Sequence, residues 1–476
     1  MSVRPLPLST PAAQGVDASG VHAFLDALDA APDIEPHSLM IMRHGHLVAS
    51  GWWAPYTEDR PHLLYSLSKS FTAAAAALAA AEGLLDFDAP VISYFPEFEA
   101  DITDPRSRAM LVRHVASMAS GHGTDTLYPA LALDHQNLVR GFLLLPPDRD
   151  PGTVFAYNQP TTYTLGAIVR RVTGRSLTDY LRPRLFDPLG TGETAWLRDG
   201  SGAELGFSGL HATTDAVARL GQLYLQRGVW EGERLLPEEW VAEATRAQIS
   251  TAEFEMSGTD WQQGYGFQFW MSRHGYRGDG AYGQYCLVLP EHDAVIATTA
   301  ATEQMQKLLN LVWDHLLPAF GPTPLSAHEE RDTALAARLA RLALPPAAGK
   351  PAPPERAEAW SAVDFTPHGG VCEAQPTLTA VHITEGRNLA LIDDGQPLQV
   401  PIGNDGWTVI EEPVPIAVSG GWSEADTLVV DIAFLETPHH LVVTCSLTDG
   451  TFTARWLMQP LHQGALRRMR APRASL

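Results

Sequence analysis

Lysine is almost missing from this chain: of the 33 basic side chains in its 476 residues, only Lys69, Lys307 and Lys350 are lysine and the rest are arginine. Cysteine is as scarce. Cys286, Cys372 and Cys445 lie far apart without CxxC spacing, which excludes a disulfide framework and a cysteine-based zinc site. No run of about 18 apolar residues occurs, and the opening MSVRPLPLSTPAAQGVD lacks the apolar centre of a signal peptide, so a cytoplasmic protein without a membrane span is expected. Positive surface is lacking too. With a formal net charge of −22, and no basic stretch beyond a solvated tail at Arg467, Arg468, Arg470 and Arg473, neither nucleic acid nor an anionic membrane is an expected partner. The absence of GxSxG removes the α/β-hydrolase route. The HGH run at residues 44–46 has no acidic or histidine companion at ligand spacing and reads as a hairpin turn, so neither metal nor cofactor is expected and a zinc hydrolase is disfavoured.

What the chain does have is YSLSKSFTAAAAALAAAE at residues 65–82. After Lys69 no charge appears until Glu82, and the alanine-rich stretch between reads as a helix that is apolar all round and therefore buried, with Gly83 ending it. Ser66 and Lys69 are three apart at its start, where free backbone N–H groups and the positive end of the helix dipole favour a developing anion. A serine N-cap beside a solvated lysine is the plainer reading of that spacing. Against it stands the choice of residue. Arginine does not lose its proton in a protein, whereas a desolvated lysine approaches neutral pH and acts as a base.

The coarse organisation is α+β. Residues 21–28 carry helical spacing, 38–43 and 46–52 a hairpin turning at His44 and Gly45, and 110–118 a short helix. Loops are expected from there to Pro151. Helices follow at 160–173, ended by Gly174, at 215–225 and at 236–244. Strands at 265–271, 282–289 and 294–300 form a meander whose first two members flank a glycine-rich turn, and with the N-terminal pair they give a sheet of about five strands, covered by a helix at 307–317. A further helix at 334–344 precedes a proline- and alanine-rich linker. Domains are placed at 1–345 and 359–476, joined by the linker at 346–358, and the second reads as small and all-β, with strands near 380–384, 428–434, 441–447 and 452–458. It shows no recognisable site, so it is expected to pack on the first domain or to build a homo-oligomer, and its deletion to affect solubility more than chemistry.

Two more segments carry site chemistry. In FAYNQP, Tyr157 and Asn158 stand just before a helix, and a tyrosine there can shuttle a proton; an ordinary core tyrosine is the alternative. In GDGAYGQY, from Gly278 to Tyr285, small residues let a substrate approach a strand edge.

With these parts in order, and with MRHGHLVASGWWAPY, VRHVASMASGHG, LFDPLG and GLHATTDAVARLGQLYLQRGVWEGERLLP between and around them, residues 10–320 resemble the penicillin-recognising serine hydrolases, above all the esterase and class C β-lactamase-like branch. The resemblance implies a β-lactamase-like fold, in which an antiparallel sheet flanked by helices adjoins an all-helical region. It implies Ser66 as the acylated nucleophile, Lys69 as its proton acceptor and Tyr157 as the base or acid for leaving group and water. The family's YxN asparagine falls on Gln159, leaving Asn158 one place early. Its third motif, a cation or histidine before xG, is replaced by Gly278, Asp279 and Gly280, with Arg277 or His274 as substitutes for the cation and Ala281 as the second oxyanion N–H beside that of Ser66. The missing cation and the added charge of Asp279 argue against β-lactams and cell-wall peptides. The expected activity is thus metal-independent cleavage of a small ester or amide through an acyl-enzyme. A β-lactamase or D-amino-acid peptidase is the alternative within the class, and a non-catalytic ligand- or partner-binding relative the alternative outside it.

Overall fold

The computed structural model describes residues 4–254, 258–326, 329–350, 357–384, 388–402 and 406–473. Part of the expected linker, at 351–356, lies outside the described residues.

Helix α1, Ala18–Asp29, is capped by Asp17, whose carboxylate accepts from Ser19 N at 2.9 Å, and it buries Val21, Phe24, Leu25 and Leu28 along one stripe. Strands β1 (Glu35–Arg43) and β2 (His46–Trp52) reverse through His44 and Gly45, both at positive φ as a tight hairpin requires. Among the described residues they join β3 (Trp270–Met271), β4 (Tyr276–Gly280), β5 (Gln284–Leu289) and β6 (Ala294–Ala301) in a six-stranded antiparallel sheet of order β2-β1-β6-β5-β4-β3. The first and last strands of this part of the chain therefore pair in one sheet, Met40 opposite Ala297.

Helix α2, Ser68–Ala81, is buried on every side, as its alanine composition requires. It packs on α3, Gln159–Thr173, which ends at Gly174 in the left-handed region. The polar residues of the first turns of α2 are buried as well, and each has a partner. Ser68 Oγ accepts from Leu210 N at 2.9 Å, while Ser70 donates to Gln268 O and Thr72 to Gly206 O. These bonds tie the start of α2 to two irregular segments, around residues 206–210 and 268. Helix α4, Thr214–Leu225, capped by the Thr213 hydroxyl, lies on β5 and β6.

The sequence expectations differ from the fold in three places, each for a physical reason. The strand expected at 265–271 survives only as β3, because Gln268 adopts φ +62° and turns its amide inward onto Val115 O, Ala116 O and Thr162 Oγ1. The glycine-rich turn is itself strand β4. There, a Cβ on Gly280 would meet Leu64 O at 2.1 Å and one on Gly278 would meet Leu67 Cδ1 at 2.3 Å, so the glycines serve close backbone approach. The expected loops before Pro151 contain two short helices, Leu127–Leu133 and Leu138–Leu144, the second capped by Asn137.

The C-terminal part is a nine-stranded, nearly closed sheet around its own core of Trp360, Phe365, Trp422 and aliphatic side chains. Its strands are β7 (Asp364–Pro367), β8 (Leu378–Thr384), β9 (Asn388–Asp393), β10 (Gln396–Pro401), β11 (Thr408–Ile410), β12 (Ile416–Glu424), β13 (Thr427–Phe434), β14 (His439–Ser446) and β15 (Thr451–Trp456). They follow the order β10-β9-β8-β7-β15-β14-β13-β12-β11. Among the described residues the tail beyond β15 is held down in part rather than free: Leu466 and Met469 are buried and Arg470 pairs with Glu412, while the Arg473–Glu412 pair stays exposed. The sheet docks on the first part of the chain through Leu63 N to Glu436 O at 2.9 Å, a two-pronged Arg60–Glu411 pair and Trp407 Nε1 to Leu344 O at 3.0 Å. No helix among the described residues is long and apolar enough to cross a membrane.

The contact between β4 and the segment leading into α2 generates a stability prediction. Gly280→Ala is expected to cost roughly 1–3 kcal/mol in denaturant unfolding, because the added methyl meets backbone that cannot rotate away. Gly200→Ala, where a Cβ meets nothing within 4 Å, should stay within about 0.5 kcal/mol of the parent. Equal stability of the two variants would contradict the close approach.

Candidate active site

Ser66 does not begin the α-helix. It sits in the single 3-10 turn Tyr65–Leu67 that leads into α2, and the residue before it, Tyr65, is held at φ +48°. A buried aromatic residue in the left-handed region costs about 1–3 kcal/mol unless its surroundings impose it. They do. The Tyr65 hydroxyl lies 2.5 Å from His439 Nε2 and accepts from Leu461 N at 3.3 Å, while its ring stacks on His462 at 5.7 Å. All three partners belong to the C-terminal sheet or the tail after it.

Lys69 is 1% exposed, and its Nζ has three oxygen neighbours: Ser66 Oγ at 2.9 Å, Gln159 Oε1 at 2.8 Å and Phe207 O at 2.7 Å. Two of these, an amide oxygen and a main-chain carbonyl, can only accept. A neutral amine has two hydrogens and one lone pair, so once both hydrogens are given to the obligate acceptors the lone pair faces the Ser66 hydroxyl. Burial pushes the lysine down to about 7, against the opposing charges of Asp125 and Asp279.

The Tyr157 ring lies under the same nitrogen, 4.7 Å from Nζ to centroid, and stacks on Trp270 at 5.3 Å. Burial, and then the Asp279 charge, raise its pKa, although hydrogen bonding from Ser66 and Trp270 works the other way. It is a protonated phenol beside the serine. Asn158 turns away from the site: its Oδ1 accepts from Thr126 N and Thr126 Oγ1, both at 2.9 Å, and fixes the loop before α3. Gln159, at the family's asparagine position, reaches the lysine, so its extra methylene carries the amide to Nζ.

Strand β4 corrects the reading of its charges. Arg277 is fully buried and donates through Nε to Asp279 Oδ2 at 2.9 Å and through Nη1 to Asp260 O, Met271 O and Ser272 Oγ, with its guanidinium over Trp261. It is thus held inside the sheet rather than offered as a carboxylate clamp. Asp279 is the other half of this pair. Burial raises its pKa and Arg277 draws it back, so the turn does not carry the free negative charge expected of it. His274 is exposed on the β3–β4 turn and packs on Trp313, apart from the residues gathered around Ser66. Gly280 brings β4 against Leu64, and half-buried Ala281 follows it at the turn into β5.

A cavity of about 670 Å³ opens beside Ser66 and Gln159. Its walls include Leu127, Leu131, Leu138, Leu205 and Phe207; His135 and one carboxylate, Asp199, line it, and among the described residues no arginine or lysine does. Leu461 and His462 close one side. His462 Nε2 lies 2.7 Å from Ser208 Oγ, and burial, then the Lys69 charge, push the ring down to about 4, so it is neutral. Sequence reasoning missed these two residues and the Phe207 carbonyl. A lone histidine after the last strand and a main-chain oxygen carry no motif, and no spacing rule links positions 66 and 462.

Comparison with known proteins follows the same outline. A family model described as Beta-lactamase matches residues 21–316, well over half of the chain. The 6-aminohexanoate-dimer hydrolase of Paenarthrobacter ureafaciens is 27% identical over 302 residues, covering 57% of this chain and 76% of that protein. A lovastatin esterase of Penicillium rubens is 28% identical over 187 residues, covering 34% of this chain, which spans about half of that enzyme's length (47%). Among solved structures, EstCE1, described as a hydrolase with promiscuous acyltransferase activity, superposes with a TM-score of 0.52 at 19% identity, covering 63% of this chain and 98% of its own, a likeness of fold. The chain belongs to the beta-lactamase family and is a serine hydrolase of that esterase- and amidase-containing kind.

Proposed function

We propose that the enzyme cleaves a small, uncharged ester or linear amide through an acyl-enzyme on Ser66. The observation that carries this reading is the hydrogen count at Lys69, whose two acceptor-only partners leave its lone pair for the serine. Lys69 takes the hydroxyl proton as Ser66 Oγ attacks the carbonyl carbon, and the N–H groups of Ser66 and Ala281 hold the oxyanion. The C–O or C–N bond then breaks. Tyr157, protonated at the start, gives its proton to the leaving alkoxide or amine and is recharged from the Lys69 ammonium. Water enters, the same pair activates it, and hydrolysis of the acyl-serine restores the enzyme. The relatives named above, a 6-aminohexanoate-dimer hydrolase and a lovastatin esterase, support hydrolytic chemistry of this kind, while the charge preference rests on the cavity alone.

The cavity supports the charge preference on new grounds. An acyl donor bearing a carboxylate would lie among leucines, the neutral His462 and Asp199, with Arg277 already paired. It would lose hydration without gaining a cation, a cost of about 1–3 kcal/mol.

Four outcomes are expected. With p-nitrophenyl esters, Ser66→Ala should fall to background while its unfolding transition stays near the parent's, and Lys69→Arg should lose about 10²- to 10⁴-fold in kcat/KM. Activity of Lys69→Arg near the parent's would reduce the lysine to electrostatic support. Because Lys69 must be neutral to accept the proton and its pKa is lowered to about 7, kcat/KM should rise with pH up to that point and level off above it; a flat profile across the neutral range would contradict the assignment. Matched donors differing only as carboxylate and methyl ester should show the ester favoured by roughly ten- to a hundredfold. Preference for the acid, lost in Arg277→Ala, would return carboxylate-bearing substrates to the front.

A further inference from the structure

Away from Ser66, the seam between the two parts of the chain encloses a run of polar side chains with no role in the chemistry above. It comprises His62, His37 and Glu35 from the first part, and His440 and Asp431 from the C-terminal sheet. From Glu35, His37 and His440 we infer a three-ligand site for one divalent zinc-like ion, its fourth position filled by water, that staples the two parts together.

The argument is a count of hydrogens along one chain of contacts. His62 Nδ1 lies 3.1 Å from Leu63 O, and His62 Nε2 lies 3.1 Å from His37 Nδ1. His37 Nε2 and His440 Nε2 each lie 3.0 Å from the same oxygen, Glu35 Oε1, and His440 Nδ1 lies 3.0 Å from Asp431 Oδ1. Every one of these contacts joins two atoms that carry lone pairs, so each needs a hydrogen between them. Five contacts need five hydrogens. Three neutral imidazoles supply three.

One fixed end decides where two of those three go. Leu63 O can only accept, so His62 carries its hydrogen on Nδ1 and presents a bare Nε2; His37 must then donate from Nδ1 and present a bare Nε2 to Glu35. His440 faces a carboxylate at each nitrogen, Asp431 at Nδ1 and Glu35 at Nε2. With its hydrogen on Nδ1, two imidazole lone pairs converge on one carboxylate oxygen and the two missing hydrogens are both at Glu35, which is the arrangement a metal ion would select. A divalent ion takes their place with the same total charge, and it balances the carboxylates of Glu35 and Asp431.

The ligand set fits such an ion. Glu35, His37 and His440 each present one ligand atom, and these atoms all lie within 4.8 Å of one another. Two imidazoles and a carboxylate form a common zinc set, with Zn–N and Zn–O of about 2.0–2.2 Å, which places tetrahedral ligand atoms about 3.3 Å apart. The two 3.0 Å separations at Glu35 are close to that. The outer partners are those that orient metal-bound histidines: a carboxylate on His440 and a neutral acceptor on His37. Tyr56 supports the cluster, its ring stacked on His37 at 3.8 Å and its hydroxyl 3.4 Å from His440 Nε2. His37 and His440 are fully buried, so the ion enters as the two parts dock.

The test is elemental analysis of the full chain, produced in zinc-supplemented medium and washed briefly with chelator to strip surface-bound metal. About one zinc per chain is expected to remain. Glu35→Gln and His440→Asn should each lose it, and Asp431→Asn, which touches only an outer partner, should weaken zinc retention about 10- to 100-fold. An anomalous peak at the zinc edge between the three ligand atoms would fix the position independently of any variant's stability. Metal-free parent protein, or zinc content unchanged in Glu35→Gln and His440→Asn, would overturn the inference and leave two extra protons as the way the cluster is closed.

Discussion

The desolvated amine of Lys69 is the constraint on which the rest of the site depends. To hold it at the edge of neutrality, the fold must exclude water from one lysine while giving it acceptors at three fixed positions. The alanine-rich body of α2 supplies the exclusion, since it is buried on every side. The acceptors come from separate parts of the chain: Ser66 from the 3-10 turn, Gln159 from the start of α3, and Phe207 O from the irregular segment tied to α2 by Ser68 and Thr72. Three distant stretches thus converge on one nitrogen, and the buried hydroxyls of Ser68 and Thr72 hold the last of them against α2.

The C-terminal sheet is part of the same construction. It fixes the hydroxyl of Tyr65, the residue immediately before Ser66 and one held at positive φ, through His439 and Leu461. It also supplies one wall of the cavity and, through Tyr282 Oη to Gln459 O at 2.5 Å, reaches the turn next to Ala281. The expectation that this part would matter more to solubility than to chemistry sits poorly with such contacts. The cavity beside Ser66 is thus bounded from both parts of the chain.

The sequence carried much of this and not all of it. The buried helix at 68–81, the N-terminal hairpin, the helix after Asn158 and the all-β tail follow from periodicity and turn residues, which act locally. Ser66, Lys69 and Tyr157 are legible because their chemistry constrains residue type and spacing. Gln159 was visible by position, but its reach to Lys69 depends on a side-chain length that no motif encodes. The reading of Asp279 as a free charge and of Arg277 as a clamp failed for one reason: each is the partner of the other across two positions of a strand that looked like a turn. Glycine composition suggested a loop, whereas the need was for backbone to lie against Leu64 and Leu67. His462 and the Glu35–His37–His440 cluster are assembled by docking alone, and nothing in the local sequence announces them.

The central claim is that Lys69 is a neutral amine near physiological pH, and the scarcity of lysine makes it directly measurable. With only Lys69, Lys307 and Lys350 in the chain, selective ¹³C and ¹⁵N labelling of lysine side chains gives three signals to follow by NMR as pH is varied. The account predicts that one signal titrates near 7 and disappears in Lys69→Arg, while the other two titrate in the ordinary lysine range, at about 10.4. Three signals that all titrate in the ordinary range would contradict it, and the proton acceptor for Ser66 would have to be sought elsewhere.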